Sequence, residues 1–156
     1  FEDPVGGFQN LRAAIKPGGR MAFACWRTLP ENDWAFALMK AVLPAIGAPP
    51  PPPPPGTPGP FAFGDETYLA GILAQSGWSG IEMSKFDSEI ALPGETLEDM
   101  VNFAREMGPI ARVLSENPAN ESSIIEHLLS FFKAQMSPDR RVRLPSAIWL
   151  VKANNA

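Results

Sequence analysis

Residues 2–27, EDPVGGFQNLRAAIKPGGRMAFACWR, decide how the rest of the chain is read. Asp3 can accept from the free amides of a helix start, and Pro4 suits the first helical position. Val5, Phe8, Leu11 and Ile15 recur at helical spacing as one apolar stripe, and Pro17-Gly18-Gly19 stops the helix. The run Met21 to Trp26, MAFACW, is short, uncharged and bounded by Arg20 and Arg27, which predicts a strand covered on both faces. Helix, glycine stop and buried strand make half of a crossover unit in a layered α/β protein. Such a strand needs neighbours on its edges, yet almost no chain precedes it and the first residue is Phe1 rather than methionine. The expectation is that the chain is the second half of something larger.

Working outward, Asn32 to Leu43 predicts a second helix whose Trp34, Phe36, Leu38, Met39 and Val42 exceed the needs of one stripe. Pro49 to Pro55 impose an extended conformation without donors, and residues 48–60 read as a stiff proline-rich surface loop pinned back by Phe61-Ala62-Phe63. Asp65 caps a helix carrying Tyr68, Leu69, Ile72 and Leu73, closed by Gly77. From Ile81 to Leu92 the apolar alternation changes parity before Phe86 and Ile90, as in a bulged strand near a sheet edge. Thr96 and Asp99 form a capping box for a helix bearing Leu97, Met100, Val101, Ala104 and Met107. Gly108-Pro109 breaks it before a short helix through Ile110, Val113 and Leu114, and Asn120 to Met136 is the longest amphipathic helix. Val142 to Val151 predicts a last strand, with Pro145 before or at the edge of its regular pairing.

Composition excludes several classes. At 156 residues, with 45% hydrophobic and 19% charged side chains, the chain can bury a core. Its net charge of -4 and lack of a Lys/Arg run argue against nucleic acid. No apolar run nears the roughly 20 residues that span a bilayer. The single cysteine, Cys25, lies in the apolar strand, so an inert buried thiol and a reducing cytoplasm are expected.

Three patches resemble class I S-adenosylmethionine-dependent methyltransferases, in particular the family related to ubiquinone and menaquinone C-methyltransferases. They are FEDPVGGFQNLRAAIKPGGRMAFACWR at 1–27, GDETYLAGILAQSGWSGIEM at 64–83 and VRLPSAIWLVKA at 142–153. The passage Ile15-Lys16-Pro17-Gly18-Gly19-Arg20-Met21 looks like that family's entry into its fifth strand, and Gly77-Trp78 like the pair before its sixth. The resemblance implies the C-terminal portion of a Rossmann-like domain over residues 1–156. Three strands would be present, Met21 to Trp26, Ile81 to Ile90 and Leu144 to Val151, the last antiparallel between the other two, with helices packed on them and a helical insertion at 96–137.

The same resemblance implies S-adenosylmethionine as cofactor of the parent enzyme, not of this chain alone. A dinucleotide-like site needs a glycine-rich turn after a strand and an acid ending the next. Gly6-Gly7 lies in a helix, Gly18-Gly19 ends one, and Gly56 to Gly59 is proline-locked, so the first four strands and the cofactor site would lie upstream. This chain would give the acceptor side. Trp26, Arg27 and Trp34 would line a pocket beyond the carboxyl end of the first strand, Arg27 pairing an anionic group and the indoles covering an apolar or aromatic methyl acceptor. Phe61 and Phe63 would form a lid.

Plainer readings stand beside these: Trp26 closing the core, Arg27 solvated, and Phe61 and Phe63 pinning the loop. His127, the only histidine, reads as a surface or boundary residue without metal partners, Glu98-Asp99 and Asp65-Glu66 as first-turn acids, and Asp139-Arg140-Arg141 as a solvated turn. No catalytic residue is identifiable. A non-catalytic module binding an apolar ligand or a protein through its aromatics and proline tract is the rival function. The unpaired edge of the Met21 to Trp26 strand would be covered by a second copy, by domain exchange or by upstream sequence.

Overall fold

The computed structural model describes residues 2–49, 51, 54, 56–106 and 108–156, and expectations on Pro50, Pro52, Pro53, Pro55 and Met107 lie outside the described residues. In chain order the elements are α1 (Pro4–Ala13), β1 (Arg20–Trp26), α2 (Asp33–Ile46), α3 (Glu66–Gln75), β2 (Ser79–Ala91), α4 (Leu97–Glu106), α5 (Gly108–Glu116), α6 (Glu121–Gln135) and β3 (Arg143–Asn154). The protein is α/β, with one antiparallel sheet in the order β1-β3-β2. β1 pairs antiparallel with β3 from Arg20↔Asn154 to Trp26↔Ile148. Along β2, contacts from Ser84 to Leu150, Ser88 to Ser146 and Leu92 to Val142 descend in β3 as β2 ascends. They hold one register, so the parity change in β2 is a change in which residues are covered and not a bulge. Pro145 lies inside β3, past the last β1 partner, where no β1 carbonyl calls for its missing N–H.

The chain divides into two compact units, the described residues of Phe1–Leu29, Pro53–Asp87 and Ala147–Ala156 forming the first and those of Pro30–Pro52 and Ser88–Ser146 the second.

In the first unit the Asp3 carboxylate accepts from the Gly6 amide at 2.9 Å, with Pro4 opening α1. Asp65 caps α3 through the Tyr68 amide at 2.7 Å, and Gly77, at φ 84°, ends it. Phe8, Leu69, Leu73, Trp78, Trp149 and Val151 make the core. Each contributes about 1.5–3 kcal/mol by leaving water. The Trp78 indole N–H donates to the Phe8 carbonyl at 3.1 Å, fixing α1 to the chain that follows α3.

Two expectations for this unit are corrected. Leu11 is 43% exposed, because α1 buries only Phe8 fully and Leu11 lies off the side that Val5 and Ile15 pack against the core. β1 is not covered on both faces: Met21, Phe23 and Cys25 are half-buried while Ala22 and Ala24 are exposed, the alternation of a one-sided antiparallel strand.

In the second unit α6 packs against α2 and α4, and α4 against α5. Val42, Met100, Ile110, Ile124, Leu128 and Phe132 are fully buried. Thr96 and Asp99 cap α4 reciprocally, the Asp99 amide donating to the Thr96 hydroxyl at 3.1 Å and the Thr96 amide to the Asp99 carboxylate at 3.0 Å. Gly108, at φ 67°, opens α5 as the Gly-Pro break implies. α2 runs past its expected end to Ile46, with Pro44 accommodated in its last turn and Gly47 at φ 80° as terminator.

Candidate functional site

Arg27 follows the carboxyl end of β1, and its amide donates to the Ala147 carbonyl at 3.0 Å, which continues the β1–β3 register by one residue. Its side chain shares the covered face with Phe23 and Cys25. The residue is 7% exposed, and its Nη1 reaches the Asp87 carboxylate of β2 at 2.5 Å. Ala147 is the central-strand residue between them, and a larger side chain there would block the crossing.

The next row of the sheet carries Cys25, Trp149 and Lys85. The Arg27 guanidinium lies 5.4 Å from the Trp149 ring centroid and the Lys85 ammonium 5.8 Å, so two cations face one indole. The Trp149 N–H donates to the Gly64 carbonyl at 2.9 Å. Gly64 owes its place to the lack of a side chain: a Cβ there would fall 2.9 Å from the Arg27 carbonyl carbon and the Thr28 nitrogen.

The Phe63 ring packs tilted against Phe8 with centroids 5.6 Å apart, and Phe8 against Phe23 at the same distance. Its carbonyl accepts from the Cys25 thiol at 3.9 Å. Burial pushes that thiol up to about 11, so at neutral pH it is protonated and a poor nucleophile.

Of the residues expected at an acceptor pocket, Arg27 lies by the Trp149 ring and Phe63 packs against Phe8 in the core of the same unit, where Trp26 and Phe61 are half-buried. Arg27 is neither solvated nor displayed; its guanidinium is buried against Asp87 and Trp149. Phe63 is ring-stacked into the core, which makes it a pin for the loop rather than a lid. Trp34 belongs to the second unit, where it is 6% exposed and its N–H donates to the buried Asn32 side chain at 3.1 Å.

Asp87, Lys85, Gly64 and Trp149 are missed by sequence reading; the apolar alternation Ala147, Trp149, Val151 is the signal that could have placed Trp149 on the covered face. Surface clefts of 470, 550 and 450 Å³ are lined by other residues.

Chemically, the arrangement presents buried and exposed cations beside an indole at the carboxyl end of β1. Among the described residues no group of three or more His, Cys, Asp or Glu is placed to hold a metal ion. Gly18 and Gly19 are committed to the turn, the Gly18 amide donating to the Asn155 carbonyl at 2.7 Å and the Gly19 carbonyl accepting from Asn155 at 2.9 Å. Their backbone groups are therefore spent on Asn155 and not turned toward a ligand. Among the described residues no helix is long and apolar enough to cross a membrane. No protein-family model matches the chain, and no curated protein matches it.

Proposed function

We propose that this chain is the acceptor-side portion of an S-adenosylmethionine-dependent methyltransferase acting on a small molecule, and that it is inactive by itself. The observation that carries the reading is the strand order β1-β3-β2, with β3 running antiparallel between the other two. This order supports the partial Rossmann-like arrangement that the sequence resemblance implies, with the Pro17-Gly18-Gly19 turn leading into β1 and α3 into β2. In open α/β sheets ligands lie beyond the carboxyl ends of the strands, and Arg27 stands there. In this reading catalysis is chiefly alignment of the acceptor atom with the methyl group. The cofactor is held by sequence other than that described here.

The test is titration calorimetry with S-adenosylmethionine on this chain and on the product of its coding sequence extended upstream. Binding by the longer product alone supports the reading; an extended product that fails to bind overturns it. A non-catalytic binding module is the second reading, favoured by the exposure of Phe86 at 49% and Leu150 at 41%.

A further inference from the structure

We propose that the 470 Å³ cleft between the loop joining β2 to α4 and the turn joining α6 to β3 binds a small molecule through a phosphate monoester group, held by Arg140 and Arg141. Its volume is in the range of small-molecule sites, and all of its lining residues belong to the second unit. One wall is fixed by the sheet and by α4. The amide of buried Leu92 donates to the Val142 carbonyl at 2.9 Å, which ties the two walls together just past the end of β2. Gly94, at φ 122°, brings the loop so close to α4 that a Cβ there would fall 2.9 Å from the Met100 nitrogen.

The other wall is a tied turn. The Arg140 amide donates to the Ser137 carbonyl at 2.9 Å and the Ser137 amide to the Arg141 carbonyl at 3.0 Å. Among the described residues Arg140, at φ 59°, is the only residue other than glycine in left-handed backbone, a conformation that is costly for any residue with a Cβ. In extended backbone neighbouring side chains leave on opposite sides, whereas this left-handed step lets residues 140 and 141 border the same cleft. The nearby acids are largely engaged elsewhere. Arg143 grips the Asp139 carboxylate at 3.1 and 2.5 Å, and Asp99 accepts from the Thr96 amide at 3.0 Å as the cap of α4. Among the described residues neither Arg140 nor Arg141 forms an ion pair, although Glu95 lines the same cleft. A phosphate monoester brings three acceptor oxygens, enough for both guanidinium forks, where a carboxylate's two oxygens saturate one.

NMR titration of the isotope-labelled 156-residue chain with phenyl phosphate, and with benzoate as the carboxylate counterpart, tests this at constant ionic strength and pH 8, where the phosphate is doubly ionised. Phenyl phosphate should give saturable shifts at the Leu92, Gly94, Arg140 and Arg141 amides, with a dissociation constant of about 1 mM or below, and benzoate should bind about tenfold more weakly. Arg140→Gln and Arg141→Gln should each weaken binding about tenfold. Arg140→Gly suits the left-handed backbone, so it should raise the melting temperature while weakening binding equally. Glu95→Gln should tighten binding by removing the opposing charge, and Lys133→Gln, on exposed α6 surface, should leave it unchanged. Shifts that do not saturate, a dissociation constant that the arginine variants leave unmoved, or benzoate binding as tightly as phenyl phosphate would each overturn the proposal.

Discussion

Arg27 and Asp87 meet at 2.5 Å across the central strand, on either side of Ala147, although Arg27 is almost wholly buried and the Asp87 side chain is 72% exposed. A buried guanidinium requires its partners, whereas a solvated carboxylate does not. Asp87→Asn should therefore lower stability by about 1–2 kcal/mol, more than an exposed pair contributes and less than the loss from a pair buried on both sides. Arg27→Met, which keeps apolar contact with Trp149 but drops the charge, should cost less than Arg27→Ala. Urea denaturation of the three variants measures the ordering, and equal losses would show that the charge contributes nothing.

Gly64 is held between the Trp149 indole and the backbone of Arg27 and Thr28. Gly64→Ala puts a methyl group 2.9 Å from that backbone, and the loop must move away. The expected cost is about 1–3 kcal/mol, with a shift of the Trp149 indole N–H resonance as its bond to residue 64 lengthens. An unshifted resonance would contradict this placement.

Asn155 closes the end of α1. Its side-chain amide donates to the carbonyls of Ile15 at 2.6 Å and Arg12 at 3.2 Å, in the turn that leaves the helix. Asn155→Ala should destabilise by about 1–3 kcal/mol and speed exchange of the Gly18 amide, while Asn155→Asp, lacking the donor, should not rescue either effect.

Cys25 should resist modification. Its thiol is raised from an ordinary 9.0 to about 11, so at pH 8 its reaction with a disulfide reagent should be about 100-fold slower in the folded chain than in denaturant. The folded state holds this proton more tightly than the unfolded state, so the associated stability is complete below about pH 9 and declines as pH rises toward 11. Cys25→Ala should flatten that decline; a wild-type and variant pair with parallel stability profiles would exclude it.

Local chemistry made the helix boundaries legible. Asp3, Asp65 and the Thr96/Asp99 pair cap where their side chains must, since each satisfies amides a few residues away, and Gly77 and Gly108 adopt the left-handed backbone their positions demand. The candidate site was legible only at Arg27 and Phe63. Arg27 could be placed at a strand end, but its partner is sixty positions along the chain, and nothing in the local pattern of Asp87 distinguishes it from other exposed acids. Trp34 carried the same apolar signal as Phe63, yet the two belong to different units, because periodicity reports that a side chain is covered and not by what.

By itself the sequence determined the α/β class, the capped helices and the passage through Pro17-Gly18-Gly19 into β1, all of which follow from steric and hydrogen-bonding preferences over a few residues. Only the tertiary structure decided that β1 is covered on one side, that Ala147 opens a path from Arg27 to Asp87, and that two cations approach the Trp149 ring. Those relationships depend on the register between strands distant in sequence, and register is set by the packing of the whole sheet rather than by any one strand.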